Sequence, residues 1–311
     1  MRGTALIYSS HDRSKYIHDH FIAQRALQGN KQILFLPMSE PGQGAVVRER
    51  QEFAWGNFRW FFDQYRPYGL HAFPFYWTSS LSKYDVDQLW HHLWSAEVVI
   101  LGGGYSQAGM QRYKDLGERF NGEWGKFGRI LHERKARGLL TIGFSAGADQ
   151  LCDSLYRRAW RDDWNGAGFG LVRNTMVALH HDANDNGDLA YVARRFPRNR
   201  VFGMPNDSGI NHDWGHLSSG NIWQVYEFII DQSWDVPNEQ FHIKTRYGAK
   251  IEHMYPNGRH WSFSGGDLLV RVESEDGHFQ GAWMRAGGQW LDYWTQQPTF
   301  FHSVEHILSN H

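Results

Sequence analysis

Apolar positions in the first half of the chain fall in short runs set between longer amphipathic stretches. The runs "TALIYSS" (4–10), "QILFLPMS" (32–39), "LHAFPFYW" (70–77), "EVVILGGG" (97–104) and "LLTIGFS" (139–145) have the length and aliphatic content of buried strands. Helical spacing fills 14–28, 50–66, 85–96 and 122–137 between them. Strands alternating with helices predict βαβ units, and so an α/β fold with a mainly parallel sheet and helices on both faces. Past Ser145 the rhythm changes to "TMVALHH", the loop "DANDNGD" and "RVFGMPNDSGI". It continues as "NIWQVYEFII", "EQFHIKTRYG", "HWSFSGG" and "DLLVRVES", with turn signals at Asn257-Gly258 and Gly265-Gly266. The expected organisation is an α/β domain over 1–218 with a β-rich C-terminal extension, 219–311, packed on the same domain.

Composition narrows the function classes. Of 311 residues 41% are hydrophobic and 21% charged, which fits a globular chain, and a formal net charge of −1 argues against nucleic acid as a partner. Cys152 is the single cysteine, so no intrachain disulfide can form. The N-terminal apolar run is too short for a signal peptide, and no stretch approaches the ~18 apolar residues of a membrane span. A reducing, cytoplasmic home is the expectation. Fifteen Trp and twenty Phe are unusual. Trp55, Phe58, Trp60, Phe61, Phe62 and Tyr65 crowd one predicted helix, and Trp90 and Trp94 sit on the next. Core packing or a homodimer interface accounts for them more simply than a ligand platform does.

Candidate chemistry gathers at two strand ends. Gly143-Phe144-Ser145-Ala146-Gly147 reads as strand, sharp turn, helix, with glycines permitting the turn. That geometry exposes the Ser145 hydroxyl at the carboxyl end of a strand, before the first N–H groups of a helix. A serine that only caps the helix is the competing reading. Gly102-Gly103-Gly104 follows another strand, and sheets of this kind bind ligands at such ends.

The segments "LGGG" (101–104), "GFSAGAD" (143–149) and "GFGLVRNTMVALHH" (168–181) resemble peptidase family S51, the serine peptidases that include α-aspartyl dipeptidase and cyanophycinase. The likeness extends to "GMPNDSGI" (203–210), which is similar to that family's G-x-x-E-D-T-A. It implies a class I glutamine amidotransferase-like fold and a serine hydrolase that cleaves an amide bond through an acyl-enzyme on Ser145. The substrates implied are short or unusual peptides, aspartyl or cyanophycin-like, with no cofactor. His180 takes the place of the catalytic base. His181 is the alternative, since strand alternation points the two to opposite faces. Backbone N–H groups of Ala146 and of Gly103 or Gly104 would form the oxyanion hole. Relatives carry an acid where this chain has Trp160, which leaves Asp162 or Asp163 to complete the triad, whereas Asp149 and Asp153 suit packing or capping. Tyr105, Gln107, His181 and Asp207 are the residues expected beside the substrate.

Two departures bear on specificity. Tyr105 follows the glycines where relatives have Asn or Asp. Asp182, Asp185 and Asp188 stand where relatives place arginines, so this loop would attract an amine or guanidinium rather than an aspartyl carboxylate. Three other functions fit parts of the pattern. An α/β-hydrolase esterase would use His302 or His306 as base. A retired peptidase scaffold would bind a peptide or sugar. A metal hydrolase is suggested by "HDH" (18–20), "HH" (91–92) and "HDWGH" (212–216), but H-E-x-x-H is absent and no metal is expected. A small peptide is the expected partner, with neither nucleic acid nor membrane.

Overall fold

A computed structural model describes residues 3–10, 14–156, 166–231 and 248–311. The five predicted strands form β1 (Ala5–Tyr8), β2 (Gln32–Leu36), β3 (His71–Pro74), β4 (Val98–Leu101) and β5 (Leu140–Phe144). They lie parallel in the order β1-β5-β4-β2-β3. Alternation along each strand divides its side chains between two cores. Leu6, Tyr8, Ile33, Phe35, Val98 and Ile100 join one cluster, and Ala5, Ile7, Leu34, Leu36, Val99 and Leu101 join the other.

The first core is covered by α1 (Lys15–Ile17), a π-turn (His18–Ala23), α2 (Gln24–Gln28) and α3 (Gly44–Asp63). Phe58, Phe61 and Phe62 of α3 are buried there, whereas Phe53 and Trp60 face solvent. Part of the aromatic excess is therefore core, and part of it, such as Trp60, Trp94 and Trp124, is exposed. The second core lies under α4 (Lys83–Ser95), α5 (Ser106–Asn121), α6 (Lys126–Ala136) and α7 (Ala146–Leu151). Ser82 opens α4 with a capping box, exchanging hydrogen bonds with Asp85. Apolar spacing does not foreshadow α5, because glycines occupy part of its inner face. Gly109 admits the Gln150 side chain, which an added Cβ would meet at 2.3 Å.

The remaining strands are β6 (Thr175–Leu179), β7 (Arg200–Met204), β8 (Ser208–His216), β9 (Ile222–Ile230), β10 (Ile251–Met254), β11 (His260–Phe263), β12 (Leu268–Glu273), β13 (Gln280–Ala286) and β14 (Gln289–Asp292). Helices α8 (Asn186–Arg195) and α9 (Val304–Ser309) complete the elements. The C-terminal strands do not form a separate layer of their own. Strand β8 pairs antiparallel with β1, and β9, β12, β13 and β14 follow it outward, making one ten-stranded mixed sheet. The expected boundary at 218/219 falls in the turn between β8 and β9, which pair residue for residue from Ser208↔Ile230 to His216↔Ile222. Strands β6, β7, β10 and β11 form a second sheet of four, packed through Phe202 and Phe263 on Tyr226 and Phe228 of β9. Both predicted turns are present, with Gly258 and Gly266 at φ of 84° and 87°. The predicted "EQFHIKTRYG" strand lies outside the described residues except for Gly248. No helix among the described residues is long and apolar enough to cross a membrane.

Candidate active site

The turn at Ser145 is built from close backbone approaches. A Cβ on Gly143 would stand 2.2 Å from the carbonyl oxygen of Gly147, and one on Gly147 would stand 2.1 Å from that of Leu101. Neither glycine has positive φ, so both serve close approach rather than an unusual conformation. The unusual conformation belongs to the serine, at φ 49° and ψ −120°, a backbone geometry that costs about 1–3 kcal/mol and must be held by its surroundings. What holds it is visible. Ser145 N–H donates to the Tyr8 carbonyl at 3.0 Å, its own carbonyl accepts from Ala148 and Asp149 to start α7, and Phe144 stacks on Phe58.

His180 follows the last residue of β6 and also has positive φ, 53°. Its Nε2 lies 3.1 Å from Ser145 Oγ, and its backbone N–H donates to Ser9 Oγ at 2.8 Å. Its Nδ1 lies 2.6 Å from Asn206 Oδ1. An amide oxygen can only accept, so Nδ1 carries the ring proton and Nε2 is left to accept from the serine hydroxyl. Ser145, His180 and Asn206 are thus a hydroxyl, an imidazole and an amide joined in hydrogen-bond sequence, the order in which a nucleophile, a base and an orienting group stand in hydrolytic triads.

Asn206 is the member that sequence reasoning missed. It stands inside the segment singled out for Asp207, one residue away. Asp207 itself is 1% exposed and accepts from Ser14 Oγ at 3.0 Å, next to Asn206 in the chain. Asp162 and Asp163, expected to complete the triad, lie outside the described residues. Asp149 and Asp153 accept backbone N–H groups of Tyr156 and Asn174 at 2.6 Å each, in keeping with local packing. Burial raises the Asp153 carboxyl above the usual range.

His181 points elsewhere. It is buried over Gly203, whose absent Cβ would meet its ring at 2.4 Å, and its Nε2 bonds Asn186 at 2.8 Å, away from Ser145 Oγ, which His180 faces. Gly103 stands over the turn, since a Cβ there would lie 3.4 Å from Ser145 Cβ. Gly104, at φ 122°, brings its backbone against the Ser39 carbonyl, and Tyr105 N–H donates to that same oxygen at 2.8 Å. Tyr105 and Gln107 are both exposed beyond these glycines. Ala146 is the first residue of α7. In the acidic loop, Asp182 caps a short turn by accepting from Asn184 N–H at 2.9 Å.

The residues of the competing readings lie apart. His302 stacks on His306 of α9. His212 is buried against Tyr226, whereas His216, four residues along the same strand and hence about 13 Å away, faces Glu275.

No protein-family model and no curated protein matches the chain. Among solved structures, one described as the "Crystal structure of a peptidase from an acI-B1 Actinobacterium" superposes with a TM-score of 0.54 at 13% identity. The match covers 86% of this chain and 96% of that one. At that identity the likeness lies in the fold.

Proposed function

We propose that the chain is a serine peptidase acting on short peptides, with Ser145 as nucleophile, His180 as general base and Asn206 as the group that orients the imidazole. The observation that carries this reading is the 3.1 Å contact between Ser145 Oγ and His180 Nε2, made between two residues each held at positive φ. The fold shared with a peptidase supports it.

In the first step His180 Nε2 takes the hydroxyl proton as Oγ attacks the amide carbonyl. The resulting oxyanion is received by backbone N–H groups of Ala146 and of Gly103 or Gly104, each donor contributing about 3–4 kcal/mol. His180 then gives its proton to the leaving amine, and water hydrolyses the acyl-enzyme by the reverse sequence. Asn206 fixes the imidazole tautomer and orientation without a negative charge, as the Asn of papain-like triads does. The S51 likeness suggests dipeptide or aspartyl-type substrates, and the acidic loop at Asp182, Asp185 and Asp188 favours a cationic one.

Labelling with a fluorophosphonate probe and digestion of a short-peptide library, α- and β-aspartyl peptides included, test the reading. Wild type is expected to label and to cleave, with both lost in Ser145→Ala and His180→Ala. Asn206→Ala should lower kcat by about 10–10³-fold with KM little changed. A wild-type protein that neither labels nor cleaves would instead be a binding scaffold that has lost its chemistry.

A further inference from the structure

Strands β6 and β7 run parallel, and their amino ends, opposite the ends that carry His180 and Asn206, open on a cavity of about 380 Å³. Four arginines line it: Arg173, Arg198, Arg200 and Arg271. Two of them are almost completely removed from solvent, Arg200 at 2% and Arg271 at 1% exposed. A guanidinium taken out of water needs a counter-charge, or several well-made hydrogen bonds, to offset its lost hydration.

Among the described residues one carboxylate, Glu273, serves both Arg271 and Arg173, and none pairs with Arg200. Glu273 is shared, reaching Arg271 at 3.0 Å and Arg173 at 3.5 Å while also accepting from Asn174 and Gln224. Glu275 faces His216 at 3.6 Å, and Asp276 is held by the Ser274 hydroxyl. Arg200 has no carboxylate within ion-pair distance among the described residues. Its neighbours are the faces of Tyr293 and Trp294 and the Gln280 side chain, whose oxygen, turned inward, accepts from Nη2 of both Arg200 and Arg271. Among the described residues, Arg200 Nε and Arg271 Nε and Nη1 have no hydrogen-bond partner. Burial and the neighbouring Arg271 depress the Arg200 pKa, as expected of an under-compensated cation.

We propose that this cavity binds a small oxyanion, of phosphate or carboxylate class, across Arg200 and Arg271, with Arg173 and Arg198 at its mouth. Planar guanidinium groups present paired donors that match either kind of oxyanion, and a second cation beside the first favours an anion with two or more acceptor oxygens. One β-strand of five residues, about 16 Å, separates this site from Ser145 and His180, so it is independent of the hydrolytic reading.

The test is isothermal titration calorimetry of the whole protein with inorganic phosphate and, separately, with malonate, against sodium chloride at matched ionic strength. Saturable binding of phosphate or malonate beyond the chloride response is expected, and whichever anion saturates identifies the tetrahedral or the carboxylate class. Arg198→Ala and Arg173→Ala lie at or near the surface and keep the buried pair intact, so they should fold normally by circular dichroism. Each should weaken binding by about tenfold, the loss of one charge-assisted contact. Two results overturn the proposal: neither anion exceeding chloride, or saturable binding that both variants leave unchanged.

Discussion

A methyl group added at Gly147 would press on the Leu101 carbonyl at 2.1 Å, and backbone cannot rotate out of the way as a side chain can. The turn must then open, and the first thing to move is the strained Ser145 that it holds. Gly147→Ala is expected to reduce fluorophosphonate labelling at least as much as it reduces stability, read by labelling rate beside thermal denaturation. Normal labelling in a destabilised protein would show that the turn tolerates the widening. Both glycines of this turn, its serine and His180 were legible in sequence, because a strand, a sharp turn and a helix leave a local signature. Asn206 left none. It reaches His180 only because Leu179 of β6 pairs with Met204 of β7, which sets residues beyond the two strand ends side by side. That register depends on chain that lies between them and cannot be read from either segment.

At the scale of elements, one buried side chain fastens three of them. Arg134, on α6, is fully buried and donates to the carbonyls of Leu93 and Ala96 at 2.7 Å and of Leu140 at 2.9 Å. It thereby satisfies carbonyls left open where α4 ends and binds the start of β5 to both helices. Burial depresses its pKa to about 9, still charged at neutral pH. Arg134→Leu would leave those oxygens buried and unpaired, and should cost about 3–5 kcal/mol, measured as a lower midpoint in urea. A loss below about 1 kcal/mol would mean water replaces the guanidinium. The parallel strands were readable because burial on both faces demands unbroken apolar runs. Strand β8 was not resolved as part of the main sheet, since "SGINHDWGH" buries polar residues such as His212 and shows no clean alternation. The place of the C-terminal half, which depends on β8 pairing with β1, was hidden for the same reason.

For the molecule as a whole, two buried histidines set a limit on acid stability. Burial holds both His212 and His253 at a pKa of about 3, so in the folded protein they stay neutral through mild acid. In the unfolded chain each titrates near 6.5. Between those values the unfolded state binds more protons, so the stabilisation is complete above about pH 6.5 and falls by about 1.4 kcal/mol per pH unit for each histidine as pH drops. Urea midpoints should therefore be nearly level from pH 7 to 8 and fall steeply below 6, with a shallower fall in His212→Gln. A level profile down to pH 4 would remove these residues from the account.

Strand β1 lies where the parallel half meets the antiparallel half, between β5 and β8, and its tip supplies the Tyr8 carbonyl to Ser145 and the Ser9 hydroxyl to His180. Its partners lie more than a hundred residues downstream, and contacts so distant in sequence form slowly. Ser145 is consequently held in its strained shape only once β1 has paired with β5 and brought the Tyr8 carbonyl to it. On the proposed reading, a hydrolase built this way gains its reactivity and its tertiary structure in the same step.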